Sequence, residues 1–146
     1  MTQENKELLL KDLSARLPYG VKGVRPYTDK IATLHFIIPK CKIPNDGSTF
    51  IELEFDDLDC CPIDEFKPYL RPMSSMTEEE RVEMGKAIQE DRIEPWGEIK
   101  SSGVDNLLLC SCRQATNFMD WLNAHHFDYR GLIEKGLAIE ATEDIY

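Results

Sequence analysis

Apolar residues recur along this chain with two periods, and the switches between them divide it into elements. Leu9, Leu10, Leu13 and Leu17 repeat at helical spacing, with Thr2 placed to cap, Glu4 near the positive dipole end and Arg16 near the negative one. Pro18 and Tyr19-Gly20 then stop the pattern, so a helix is predicted from Thr2 to about Leu17.

The period next drops to two. Val21 to Arg25 is a short candidate strand, weakened by Gly23 and ended by Pro26. In Ile31 to Ile38, Leu34, Phe36 and Ile38 share one face while Thr33, His35 and Ile37 share the other. Pro39, Pro44 and Asn45-Asp46-Gly47 read as a loop or turn, and Phe50 to Phe55 alternates again, with Ile51, Leu53 and Phe55 inward and Glu52 and Glu54 outward. The two longer runs predict an antiparallel hairpin.

Residues 56–66 are acidic and punctuated, predicting a turn and one short helical piece. Residues 67–76 carry prolines at 68 and 72 and read as an extended connector pinned by Tyr69 and Leu70. Thr77-Glu78-Glu79-Glu80 matches a capping box and opens a surface helix to about Asp91, whose thin apolar face is Val82, Met84, Ala87 and Ile88, interrupted by Gly85. Residues 94–103 read as a loop, and 104–110 as either a strand or a backward extension of the next helix.

That next helix has Ser111 and Gln114 at capping-box spacing, then Ala115, Phe118, Met119 and Leu122 in one stripe with Trp121 at its margin. Asn123, His125 and His126 suit its last turn. Asp128 reads as the N-cap of a second, very short helix, with Phe127 and Leu132 as its hydrophobic staple. Gly136 is placed as a left-handed C′ residue, and Leu137 would meet Leu132 as in a Schellman motif. Leu137 to Ile139 then gives a brief strand or an extended tail. Leu122, Phe127 and Leu132 are expected to be buried as scaffolding that holds the C-terminal third to the sheet.

These elements predict an α+β fold: a small antiparallel sheet or partial barrel packed with an N-terminal helix and C-terminal helices. One domain is expected over residues 1–146, with a helix plus β region to 66, the connector at 67–76 and a mainly helical remainder. The length of 146 residues and 42% hydrophobic content fit a single modest core.

Charge and cysteine usage narrow the function classes. With 27 acidic and 17 basic residues the net charge is -10, which argues against direct nucleic-acid binding and is compatible with solubility, a basic protein partner or mimicry of nucleic-acid charge. No apolar run approaches the roughly 18 residues of a membrane span, and the first residues lack a secretory signal, so a cytoplasmic chain with no membrane association is expected. Cysteines at 41, 60, 61, 110 and 112 form no C-x-x-C pair, and reduced thiols are expected. Cys60, Cys61, Cys110 and Cys112 with the two histidines lack structural-zinc spacing, and carboxylates at 52, 54, 56, 57 and 59 lack calcium-loop spacing. No metal or cofactor is expected.

The candidate binding residues are His125, His126, Asp128, Tyr129 and Arg130. Two imidazoles beside a carboxylate are the nearest approach to an acid–base cluster, and Arg130 could hold an anion or pair with a carboxylate. No nucleophile elbow, zincin or phosphate-loop motif accompanies them, so no catalytic residue is assigned.

Three stretches carry a resemblance: Lys6 to Leu13 with Leu17-Pro18-Tyr19-Gly20-Val21, Lys67 to Glu80, and Asp120 to Ala138. They resemble a family of short uncharacterised proteins encoded in gut Bacteroidales genomes, often in prophage-like or mobile-element contexts. The resemblance implies a phage or mobile-element setting and no activity. The leading expectation is a non-enzymatic protein-interaction module with a protein partner. The alternatives are a small hydrolase or nucleotide-binding protein using the region of His125, His126, Asp128 and Arg130, and an acidic mimic that blocks a nucleic-acid-binding host protein.

Overall fold

A computed structural model of the chain describes residues 1–26, 30–42, 49–89, 112–142 and 144–146. The 45–47 turn, the 94–103 loop, residues 104–110 and the Ser111 cap lie outside them. The first helix, α1 (Gln3–Arg16), is capped as the sequence predicts, the Thr2 hydroxyl accepting the Asn5 N–H at 3.2 Å. Its buried stripe is Leu9, Asp12, Leu13 and Arg16, not the all-leucine face. Leu10 and Leu17 are only half-buried against the core. A single 3-10 turn, Leu17–Tyr19, follows and ends on left-handed Gly20.

Six strands form one open, mixed sheet in the order β4-β3-β2-β1-β5-β6. They are β1 (Lys22–Val24), β2 (Ile31–Lys42), β3 (Thr49–Phe55), β4 (Cys60–Pro62), β5 (Lys67–Leu70) and β6 (Ile139–Glu140). The α+β class stands, with the N-terminal helix and a C-terminal helix beside the sheet. The sheet is not closed, and it is not purely antiparallel: β6 runs parallel to β5, Tyr69 opposite Ile139.

The β2–β3 hairpin forms, but β2 does not keep the uniform alternation of its sequence. A register shift between Leu34 and Phe36 pairs Leu34 with Phe55 and then Ile37 with Leu53. A bulge reverses which parity points inward. Leu34 is therefore buried and Ile37 packs on the core, while Phe36 is 56% exposed. His35 is exposed beside it, its ring meeting the Phe36 edge. The acidic stretch after β3 turns at left-handed Leu58 and re-enters as β4, an edge strand the sequence did not announce, before the expected short helical piece at Ile63–Glu65. That turn is clamped by buried Arg25, which donates to Asp57 at 3.1 and 2.7 Å and to Asp59 at 2.8 Å. The guanidinium holds the Asp57 carboxyl below the usual carboxylate range.

The predicted connector is part of the sheet. Lys67–Leu70 is β5, between β1 and β6, and Pro72 leads into a 3-10 turn at Met73–Ser75. Pro68 sits ahead of the Tyr69–Ile139 pairing, and Leu70 is fully buried. Opposite Pro68 stands Gly23, where a Cβ would lie 2.4 Å from Phe66 Cζ and 2.5 Å from the Lys67 carbonyl oxygen. The glycine that weakens β1 as a strand thus lets the Phe66 ring lie against it.

The second helix, α2 (Glu78–Gln89), opens with the full capping box: Thr77 N–H donates to Glu80 Oε2 at 2.9 Å and Glu80 N–H to the Thr77 hydroxyl at 3.2 Å. Met84, Ala87 and Ile88 pack inward, whereas Val82 is 51% exposed. The third helix, α3 (Cys112–Ala124), buries Phe118, Leu122 and also Trp121, which is interior rather than marginal.

Two apolar clusters result. One joins α1 to the sheet and to Leu132, Leu137 and Ala138; the other joins Met76, Phe118, Trp121, Leu122 and Phe127 beneath α2. Gly23→Ala is expected to cost about 1–3 kcal/mol through forced overpacking, read as a lowered urea midpoint at unchanged slope. An unshifted midpoint would contradict the packing described.

Candidate functional site

The C-terminal corner, where the candidate residues lie, is organised by an ion pair on α1. Asp12 and Arg16 are one helical turn apart, and both side chains are fully buried. Arg16 Nε donates to Asp12 Oδ2 at 2.7 Å and its Nη2 to Oδ1 at 3.1 Å. The same Nη2 donates to the Phe127 carbonyl at 2.7 Å, 111 residues along the chain. Arg130 completes the knot, its Nε donating to Asp12 Oδ1 at 3.1 Å. One carboxylate thus serves two guanidiniums, drawing α1 against the corner. Arg16 Nη1 has no partner among the described residues.

Each predicted binding residue is engaged inside this frame. Arg130, the candidate anion holder, pairs with Asp12 and donates from Nη2 to the Tyr129 hydroxyl at 3.0 Å. That hydroxyl in turn donates to Asn123 Oδ1 at 2.9 Å, and both guanidiniums lie near the Tyr129 ring. Asp128 is buried, and its two carboxylate oxygens accept the N–H groups of Leu132 and Ile133, each at 2.8 Å.

Asp128 therefore caps backbone, as expected, but not an α-helix. Gly131 at φ 69° separates a turn at residues 129–130 from turns at 132–136, and no helix forms. The end of that segment is a complete Schellman motif. Leu137 N–H donates to the Leu132 carbonyl at 2.9 Å, Gly136 N–H to Ile133 at 3.0 Å, and Gly136 has φ 68°. Leu122, Phe127 and Leu132 are buried, as the scaffold reading requires. Phe127 and Leu132 belong to different clusters, however, so they bridge the two cores rather than stapling one helix.

The two histidines do different structural jobs. His125 Nδ1 donates to the Trp121 carbonyl at 2.9 Å, its ring stacks on Trp121 at 3.9 Å, and Nε2 faces Glu83 of α2 at 3.8 Å. His126 is buried with a left-handed backbone, φ 58°. Its carbonyl accepts Arg71 N–H at 2.8 Å while Asp128 N–H donates to the Arg71 carbonyl at 2.7 Å, a bridge that extends β5 into the corner. Arg71 then reaches α2, donating to Glu80 at 2.7 and 3.0 Å across the Phe127 ring, and holds the Glu80 carboxyl below its usual range.

Burial, with Arg16 and Lys22 nearby, pushes the His126 pKa down to about 4. The ring is neutral at physiological pH. Burial likewise raises the Cys61 thiol to about 11, removing it as a ready nucleophile.

The corner therefore gathers all five candidate residues into one region and, His126 Nδ1 apart, turns their polar groups toward neighbouring side chains and the backbone. Among the described residues no group of three or more His, Cys, Asp or Glu side chains is arranged to hold a metal, and Cys110 lies outside them. A shallow depression of about 490 Å³ lies instead along the outer face of α2, lined by Glu78, Glu79, Val82, Glu83 and Lys86. Among the described residues no helix is long and apolar enough to cross a membrane. No protein-family model, no curated protein and no solved structure matches this chain.

Asp12, Arg16 and Arg71 are the participants that sequence reasoning missed. The signal for the first two was present: 9, 12, 13 and 16 have the same i, i+3, i+4, i+7 spacing as an apolar stripe.

Two outcomes test this account of the corner. Asp12→Ala leaves two guanidiniums without their carboxylate and is expected to cost about 3–5 kcal/mol, whereas Asp12→Leu with Arg16→Met costs much less. Urea melts of both variants check it, and equal losses would contradict it. The second outcome concerns pH. The unfolded chain takes up a proton at His126 as pH falls through 6.5, whereas the native ring resists until about 4. The His126 contribution is thus intact above pH 6.5 and declines as acid is added. Relative to His126→Asn, the wild type should lose about 2 kcal/mol between pH 7 and 5. Parallel pH profiles would show that His126 is not buried as described.

Proposed function

We propose that this protein is a non-enzymatic protein-interaction module of a phage or mobile element, acting in the host cytosol. The observation that supports it most is the internal engagement of His125, Asp128, Tyr129 and Arg130. Their polar groups are bonded to the Trp121 carbonyl, to the Leu132 and Ile133 amides, to Asn123 and to Asp12. A net charge of -10 favours a partner with a basic surface. The mobile-element setting rests on the three stretches of sequence resemblance.

Against a small hydrolase or nucleotide-binding protein stand the same bonds. Arg130 cannot take a phosphate without leaving Asp12 beside Arg16 alone, and His126 faces two cations while neutral. Against a nucleic-acid mimic, Asp57, Asp59 and Glu80 are paired to arginines.

In a Bacteroidales lysate the tagged protein is expected to migrate well above its 16.8 kDa in a stoichiometric complex with a second polypeptide. The purified protein is expected to show no saturable thermal stabilisation by ATP, GTP, Mg²⁺ or Zn²⁺. Migration at the monomer size together with nucleotide stabilisation that Arg130→Ala abolishes would overturn the proposal.

A further inference from the structure

Several features converge on the recess around His126. Its backbone is left-handed without being glycine, its ring is only 4% exposed, and its Nδ1 has no partner among the described residues. Arg16, fully buried and near enough to act on the ring electrostatically, leaves its own Nη1 unpartnered. A left-handed non-glycine backbone and an unpartnered buried ring nitrogen at one residue are uncommon in a purely structural corner.

The recess is covered by Tyr146. Its ring lies on His126 with centroids 3.6 Å apart and planes 10° from parallel. The phenol donates to the Tyr69 carbonyl at 2.8 Å and accepts the Lys22 N–H at 3.2 Å. Lys22 Nζ donates to the Ile145 carbonyl at 2.7 Å. The receptor is thus built from β1, β5 and the corner, while its occupant is Ile145 and Tyr146, which follow exposed Asp144. Tyr146 itself is 42% exposed.

We propose that His126, Lys22 and the Tyr69 carbonyl form a docking site for a tyrosyl residue of an extended peptide, and that Ile145 and Tyr146 fill it in cis. Each contact selects a chemical feature. The imidazole face takes a flat ring. The paired acceptor and donor at Tyr69 and Lys22 require a hydroxyl, separating tyrosine from phenylalanine. Lys22 Nζ requires a carbonyl one residue earlier, separating a peptide from a free phenol. A partner's tyrosine would have to displace Tyr146, so its apparent affinity is reduced by the fraction of molecules in which the site is filled. The inference deepens the module reading, and rests on it only for the claim that the occupant comes from another protein.

The test is an NMR titration of the 146-residue chain, as Tyr146→Ala and as wild type, with the peptide acetyl-Asp-Ile-Tyr-amide. Saturable binding to the variant is expected, with shifts at Lys22 and His126, and wild type should bind at least about tenfold more weakly because the cis segment competes. The Phe version of the peptide should also bind at least about tenfold more weakly to the variant, since it leaves the Tyr69 carbonyl unpaired. No saturable binding, equal binding by the two peptides, or equal binding by variant and wild type would overturn the proposal. Should Tyr146→Ala not fold, Tyr146→Phe keeps the stack. It should bind the tyrosyl peptide more tightly than wild type, and equal affinity would overturn the proposal. Failure here leaves the module reading untouched, because that reading is decided by the complex in the lysate.

Discussion

A carboxylate and a guanidinium one turn apart on the first helix, both sealed from water, set the terms for the rest of this fold. Two charges in a core are costly unless every lone pair and proton finds a partner. Asp12 meets that condition through Arg16 and Arg130, and Arg16 meets most of it through Asp12 and the Phe127 carbonyl, with Nη1 left without a partner among the described residues. The partners come from the opposite end of the chain, so α1 cannot hold its buried face without the corner, nor the corner its Arg130 without α1. The bonds from Arg16 to the Phe127 carbonyl and from Arg130 to Asp12 tie α1 to the corner.

From that knot the order propagates outward through backbone. The Phe127 carbonyl bound by Arg16 belongs to the segment that pairs with Arg71, and Arg71 continues β5. Its guanidinium crosses the Phe127 ring to Glu80, the residue that also closes the α2 capping box. Phe127 in one cluster and Leu132 in the other carry the packing across the same corner. Residues that a chemist would first suspect of catalysis are thus the joints of the structure, and what they leave unused is the recess under Tyr146.

Much of this was legible in the sequence wherever the cause is local. Thr77 and Glu80 specify a capping box by spacing, and Leu132, Gly136 and Leu137 specify a Schellman motif the same way. The hairpin strands and the α+β class follow from alternation. What escaped depends on contacts remote in sequence. Phe36 and Ile37 are both apolar, so nothing in the text says that a bulge sends the first outward and the second in. Pro68 marks residues 67–76 as a connector, yet a strand short enough to place its proline before the next pairing tolerates one. Asp12 and Arg16 sit on the helical stripe at apolar spacing, but charged residues there read as its margin until their partners are known. Gly131, inside the predicted second helix, is a left-handed break in the structure.

Native-state hydrogen exchange across a denaturant series addresses the central claim most directly, because it reports whether distant segments open together. If the buried pair locks α1 to the corner, the Leu13 amide in α1 and the Phe127 and Leu137 amides in the corner should exchange through one shared opening of equal free energy. Corner amides exchanging through a separate opening more than about 2 kcal/mol easier than that of Leu13 would contradict it.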